Sequence, residues 1–211
     1  MQMEYAPVLV ANPDHKVTFR CSKATPLDLM KAVGRQTRTP IGIVLGRNTD
    51  ALTKERRPYD LEGVTPETAL REAAEDANYT LKQEGLVWVL VADDATFSQN
   101  SLLQQSYSGF NIDRPTPMVV MGATLTMWML ASAHPEIRGF GGSTLHSLND
   151  EQLTLQTPPS ATTEMIADMI VSLGSKGMWI LRANPDYSDD VSNDEVEIEA
   201  YQHYSNRLNI E

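Results

Sequence analysis

The sequence predicts an α+β fold: two tandem β-α-β-β-α-β units, with small mixed sheets packed against helices. Strand-like and helix-like apolar patterns alternate along the 211 residues. Helix starts carry recognisable cap residues. One order of elements also occurs twice. "TPETALREAAEDANYTLKQEGLVWVL" at 65–90 is echoed by the looser "SATTEMIADMIVSLGSKGMWIL" at 160–181.

The first unit opens on the strand "VTFRCS", in which Val17, Phe19 and Cys21 share a face. "ATPLDLMKAVGRQT" follows as a helix. Thr25 suits the N-cap and Pro26 the first helical position, while Leu27, Met30 and Val33 form a stripe that Leu29 broadens. "IGIVL" is a short buried strand. "GRNTDALTKERRP" is a loop leading to the strand "YDLEG". Thr65 and Pro66 repeat the start signal for a second helix. Its narrow stripe is Ala69, Leu70, Ala73, Ala74 and Ala77, small enough for close packing. "YTL" and "LVWVLV" then form a hairpin around "KQEG".

The second unit opens on the strand "PMVVMG", followed by the helix "ATLTMWMLASAHP", which Pro135 ends. "IRGF" stands for "IGIVL", and "EQLTLQ" for "YDLEG". Ser160 is the expected cap of the helix at 161–174, in which Met165, Ile166, Met169, Ile170 and Leu173 form one face. "KGMWIL" closes the unit, with Trp179 matching Trp88. Offsets between the copies fall from 99 (Ala24 to Ala123) to 94 (Tyr59 to Leu153) to 91 (Trp88 to Trp179). A steady fall is what duplication followed by loop shortening leaves. The expected units are therefore 1–94 and 117–184, joined by a polar linker at 95–116, with an acidic tail at 185–211. Within the tail "EVEIEAY" alternates Val196, Ile198 and Ala200, the pattern of an added edge strand.

Charge narrows the function. The net charge is -11, and it is uneven. Residues 1–94 hold 12 Lys/Arg against 14 Asp/Glu, a net of -2; residues 95–211 hold 5 against 14, a net of -9. Such a surface repels phosphate backbones, so no nucleic-acid partner is expected. No run of about 20 apolar residues is present, and no membrane insertion of this chain is expected. The opening "MQMEYAPVLV" has no basic segment followed by an apolar one, so no signal peptide is visible.

Chemistry is sparse. The single cysteine, Cys21, excludes an internal disulfide and reads as a small apolar strand residue. His15, His134, His146 and His203 form no metal-spaced pair. Ser143, His146 and Asp150 lie near one another in sequence, but no G-x-S-x-G elbow accompanies them and triads are assembled by the fold. "GFGGST" does not open a predicted helix, so it reads as a turn rather than a phosphate cradle. One weak metal candidate remains. Asp186, Ser188, Asp190, Asp194 and Glu197 occupy positions 1, 3, 5, 9 and 12 of a calcium-type loop. Val191 stands where that loop requires glycine, which favours a solvated acidic segment. No catalytic residue and no cofactor is expected.

Residues 16–92 carry a family resemblance. "VTFRCSKATPLDLMKAVGRQTRTPIGIVL" and "YDLEGVTPETALREAAEDANYTLKQEGLVWVLV" resemble the short N-terminal domain of secretins and TonB-dependent receptors. Val64, Thr65, Glu67, Ala69 and Leu70 match its "V-T-x-E-x-A-L" motif, and Tyr79 and Leu81 its "Y-x-L". Residues 117–183 resemble it far more weakly and lack the central motif. The resemblance implies a non-catalytic interaction module of the bacterial cell envelope, periplasmic or extracytoplasmic, that contacts another protein in a secretion or receptor assembly. No secretin or barrel segment follows before Glu211, so a free-standing protein and a fragment of a larger one are both open. The alternatives are a small enzyme with a cleft between the units and a calcium-responsive structural protein.

Overall fold

The computed structural model describes residues 15–95, 106–107, 111–112, 155–156, 161–174, 177–182 and 195–200. Helix and strand are mixed and the sheets are small, the expected α+β class. β1 (Val17–Ala24) leads into α1 (Pro26–Thr37). The Thr25 hydroxyl accepts the Asp28 N–H at 3.2 Å, and the Asp28 carboxylate accepts the Thr25 N–H at 2.9 Å. This reciprocal box satisfies donors that a helix start leaves open. α1 ends at Arg38, whose backbone is left-handed. Leu29, Met30, Lys31, Ala32, Val33 and Gly34 are all buried, so α1 is covered nearly all round.

β2 (Ile41–Leu45) is buried at every residue. α2 (Asp50–Thr53) is a single turn inside the segment 46–58, which the sequence predicts as loop. β3 (Arg57–Val64) pairs antiparallel with β1, forming a ribbon. α3 (Pro66–Ala77) is capped by Thr65 and ends on left-handed Asn78. β4 (Tyr79–Glu84) and β5 (Val87–Ala92) pair without interruption. The hairpin is longer than its sequence suggests, because the turn contracts to Gly85–Leu86, where Gly85 takes φ +60°.

From the remaining chain come β6 (Ser106–Tyr107), β7 (Asn111–Ile112), β8 (Leu155–Gln156), β9 (Ala161–Thr162), α4 (Thr163–Gly174), β10 (Gly177–Arg182) and β11 (Glu195–Ala200). β6 pairs with β9 and β7 with β8, so backbone bonds tie the expected linker to the second half. α4 starts two residues later than the sequence predicts, because Ala161 and Thr162 are taken by β9, and its described cap contact is from Thr162, whose hydroxyl accepts the Met165 N–H at 3.2 Å. The strand at 117–122, the helix at 123–135, the strand at 137–140 and Ser160 lie outside the described residues.

Among the described residues the main sheet has five strands in the order β11-β10-β2-β5-β4. β2 is parallel to both β10 and β5, while β4 and β11 are antiparallel edges. The two expected units thus share one sheet, with β2 of the first lying beside β10 of the second. Alternation along each strand assigns the faces. Ile41, Ile43, Leu90, Met178 and Ile180 join the core built by α1, α3 and the ribbon. Gly42, Val44, Val89, Trp179 and Leu181 face the other way. There the buried side of α4, Ile166, Ala167, Ile170 and Val171, supplies the cover.

Candidate functional site

Cys21 is opposite Tyr59 in the ribbon and packs half-buried against the core, as its strand position suggests. His15 is exposed. Among the described residues no group of His, Cys, Asp and Glu could hold a metal ion. Ser143, His146, Asp150, His134, His203 and the segment "GFGGST" lie outside the described residues, as do Asp186, Ser188, Asp190 and Asp194. Glu197 is in β11, paired with Ile180, so its backbone is extended.

Among the described residues two arginines each pair with two acids, and both arrangements are structural in geometry. Arg57 donates to Asp76 at 2.7 Å and to Glu55 at 3.2 Å, tying β3 to the last turn of α3. Burial, then the neighbouring Asp76 and Glu75, hold Glu72 above the usual carboxylate value. On the ribbon Arg20 bridges Asp60 at 2.9 Å and also pairs with Glu62, all three being exposed. Exposed pairs of this kind contribute about 0–1 kcal/mol each. Burial pushes the Tyr79 phenol up to about 12, so it stays protonated at neutral pH.

The sheet edges offer another kind of site, because an unpaired strand presents backbone donors and acceptors. They are not equally available. β1 is obstructed by Gln36, whose side-chain amide receives the Thr18 N–H and donates to the Thr18 carbonyl, both at 3.0 Å. That amide occupies the position a neighbouring strand would take. Nothing in the local sequence around Gln36 signals this, since the contact joins the end of α1 to the start of β1. β3 is interrupted by Pro58, which has no N–H, and by Gly63 at φ +62°. β11 carries Glu195, Glu197 and Glu199 in alternation.

Among the described residues β4 has no amide cap, no proline and no left-handed residue, and the charges it carries, Lys82 and Glu84, are of opposite sign. Its register runs unbroken from Tyr79↔Ala92 to Glu84↔Val87, and among the described residues no strand lies beyond it. The Asp93 N–H bonds to the Asn78 carbonyl at 3.1 Å. Alternation from that pair turns the backbone groups of Thr80, Lys82 and Glu84 toward β5. Those of Leu81 and Gln83 therefore point outward. Lys82, Gln83 and Glu84 are exposed.

Comparison with known proteins produced no match: no family, no curated protein and no solved structure is significantly similar to this chain.

Proposed function

We propose that the chain is a non-catalytic protein-interaction module of the bacterial cell envelope, in a secretion or receptor assembly, built from two tandem β-α-β-β-α-β units. The observation that carries this reading is the open, uninterrupted edge of β4. A partner strand laid along it would gain main-chain hydrogen bonds at Leu81 and Gln83, the mode of β-augmentation. The sequence resemblance of residues 16–92 supplies the envelope setting. The two tryptophans support the tandem reading: Trp88 packs on the core of α1 and α3, and Trp179 lies on the face covered by α4. Each thus faces helices of its own half.

Gln83→Pro tests the edge. It removes one outward N–H while leaving the bonds to β5 in place. Wild type and variant, each immobilised, are exposed to detergent-solubilised envelope extract, with Glu75→Ala as a surface control. The expected result is a specific protein retained by wild type and control and lost from Gln83→Pro, with an unchanged far-ultraviolet circular dichroism spectrum. Equal retention by all three would remove β4 as the binding edge.

Across the described residues no helix is long and apolar enough to cross a membrane.

A further inference from the structure

The edge of β4 carries a charge pattern that is complementary to itself. Lys82 and Glu84 are exposed, opposite in sign and two residues apart, so they lie on one face of the sheet. Gln83 stands between them, with its backbone N–H and C=O directed away from β5. Just beyond, in the turn to β5, Leu86 is 45% exposed.

An antiparallel copy of β4 has few registers. Outward backbone groups must meet outward groups, so the two-fold axis passes between a residue and its own copy. An axis at Lys82 sets two lysines against each other, and like charges directly opposite are destabilising. An axis at Thr80 or Leu81 leaves Lys82 and Glu84 without opposite charges. An axis at Gln83 sets Lys82 of each copy opposite Glu84 of the other, twice over. It also brings each turn alongside the half-buried Leu81 of the other copy, which gives Leu86 an apolar neighbour.

We propose that a second copy of this chain docks on β4, antiparallel and centred on Gln83, so that the main sheets of the two copies continue as one. The proposal rests on the reading of β4 as the binding edge and names its occupant. The contact is small, so the dimer is weak and reversible. Charge sets its register, while main-chain bonds at Gln83 and the covered turns hold it. A protein of the envelope that uses the same edge displaces the second copy.

The test is sedimentation velocity of the full chain at low ionic strength, up to about 0.3 mM. Wild type should form a dimer. Lys82→Glu and Glu84→Lys should each weaken it on the order of tenfold, because each turns two attractive pairs into two repulsive ones. Both positions are exposed, so both variants should keep the wild-type circular dichroism spectrum. An equimolar mixture of the two variants should dimerise as wild type does, because all four opposed charges are again unlike. The double reversal Lys82→Glu/Glu84→Lys should do the same. A monomeric wild type overturns the proposal, as do single variants that dimerise like wild type. Loss in the single variants without recovery in the mixture and the double reversal overturns the register. The extract experiment with Gln83→Pro separates this proposal from the reading beneath it. A monomeric wild type whose extract protein is lost on Gln83→Pro overturns self-pairing alone. A dimer that shows the charge-reversal pattern, with equal extract retention by wild type and Gln83→Pro, upholds self-pairing and overturns the envelope partner at β4.

Discussion

Gly42 is the residue on which the centre of the sheet turns. A methyl at this position would overlap Cζ2 and Cε2 of Trp179 and lie 2.8 Å from its Nε1. The indole cannot retreat, because it is fully buried and its N–H is engaged by Asp168. Gly42→Ala should therefore lower the unfolding free energy by about 1–3 kcal/mol, the usual range for overpacking. Urea denaturation checks this. A loss below about 0.5 kcal/mol would mean that the tryptophan rotates away without cost. Backbone freedom is not the reason for glycine here; the requirement is space for a neighbouring ring.

α3 shows how an element is placed by small residues. Ala69, Ala73, Ala74 and Ala77 are buried with Leu70, and they let α3 approach α1 closely. Leu70 is 0% exposed and lies in one cluster with Met30 and Val33, as the stripe in the sequence predicts. Leu70→Ala should cost about 2–5 kcal/mol by denaturant unfolding, because the surrounding alanines have few atoms with which to fill the cavity. A loss well under that range would show that the helices collapse onto the gap. The cap of α1 is set locally: Thr25 and Asp28 satisfy each other's backbone donors within four residues of chain.

On the scale of the whole molecule, β2 is the strand that unites the two halves. It takes β5 on one side and β10 on the other, both parallel, and its faces are buried by helices from both halves. A fragment ending at residue 95 would leave the β10 side of β2 unpaired. It would also uncover Val44, Val87 and Val89. Open apolar strands of this kind associate. The fragment should elute as oligomers in size-exclusion chromatography and unfold at lower denaturant than the full chain. A monomeric fragment of undiminished stability would show that the first unit is self-sufficient. Calcium provides a second measurement at this scale. The acidic segment holding Asp186, Ser188, Asp190 and Asp194 has Val191 at the turn position and runs into the strand that contains Glu197. Millimolar calcium should leave the melting temperature of the full chain unchanged, and a rise of several degrees would revive the calcium-responsive alternative.

The sequence by itself determined the local elements. Thr25 and Pro26, and Thr65 and Pro66, mark both helix starts of the first unit; the stripe through Leu70 marks a core face; alternation through Val196, Ile198 and Ala200 marks a strand. These signals are legible because the interactions behind them act within a few residues. Tertiary structure alone decided that β10 pairs with β2, that Gln36 covers the edge of β1, and that Asp168 meets Trp179 beside Glu84. Backbone N–H and C=O groups are alike in every strand, so an apolar segment such as "IGIVL" does not specify its neighbour by pattern. A side chain such as Gln36 or Asp168 likewise acquires its role only when folding brings distant chain to it. The candidate site is of this second kind, because the openness of β4 depends on which strands the rest of the chain places elsewhere.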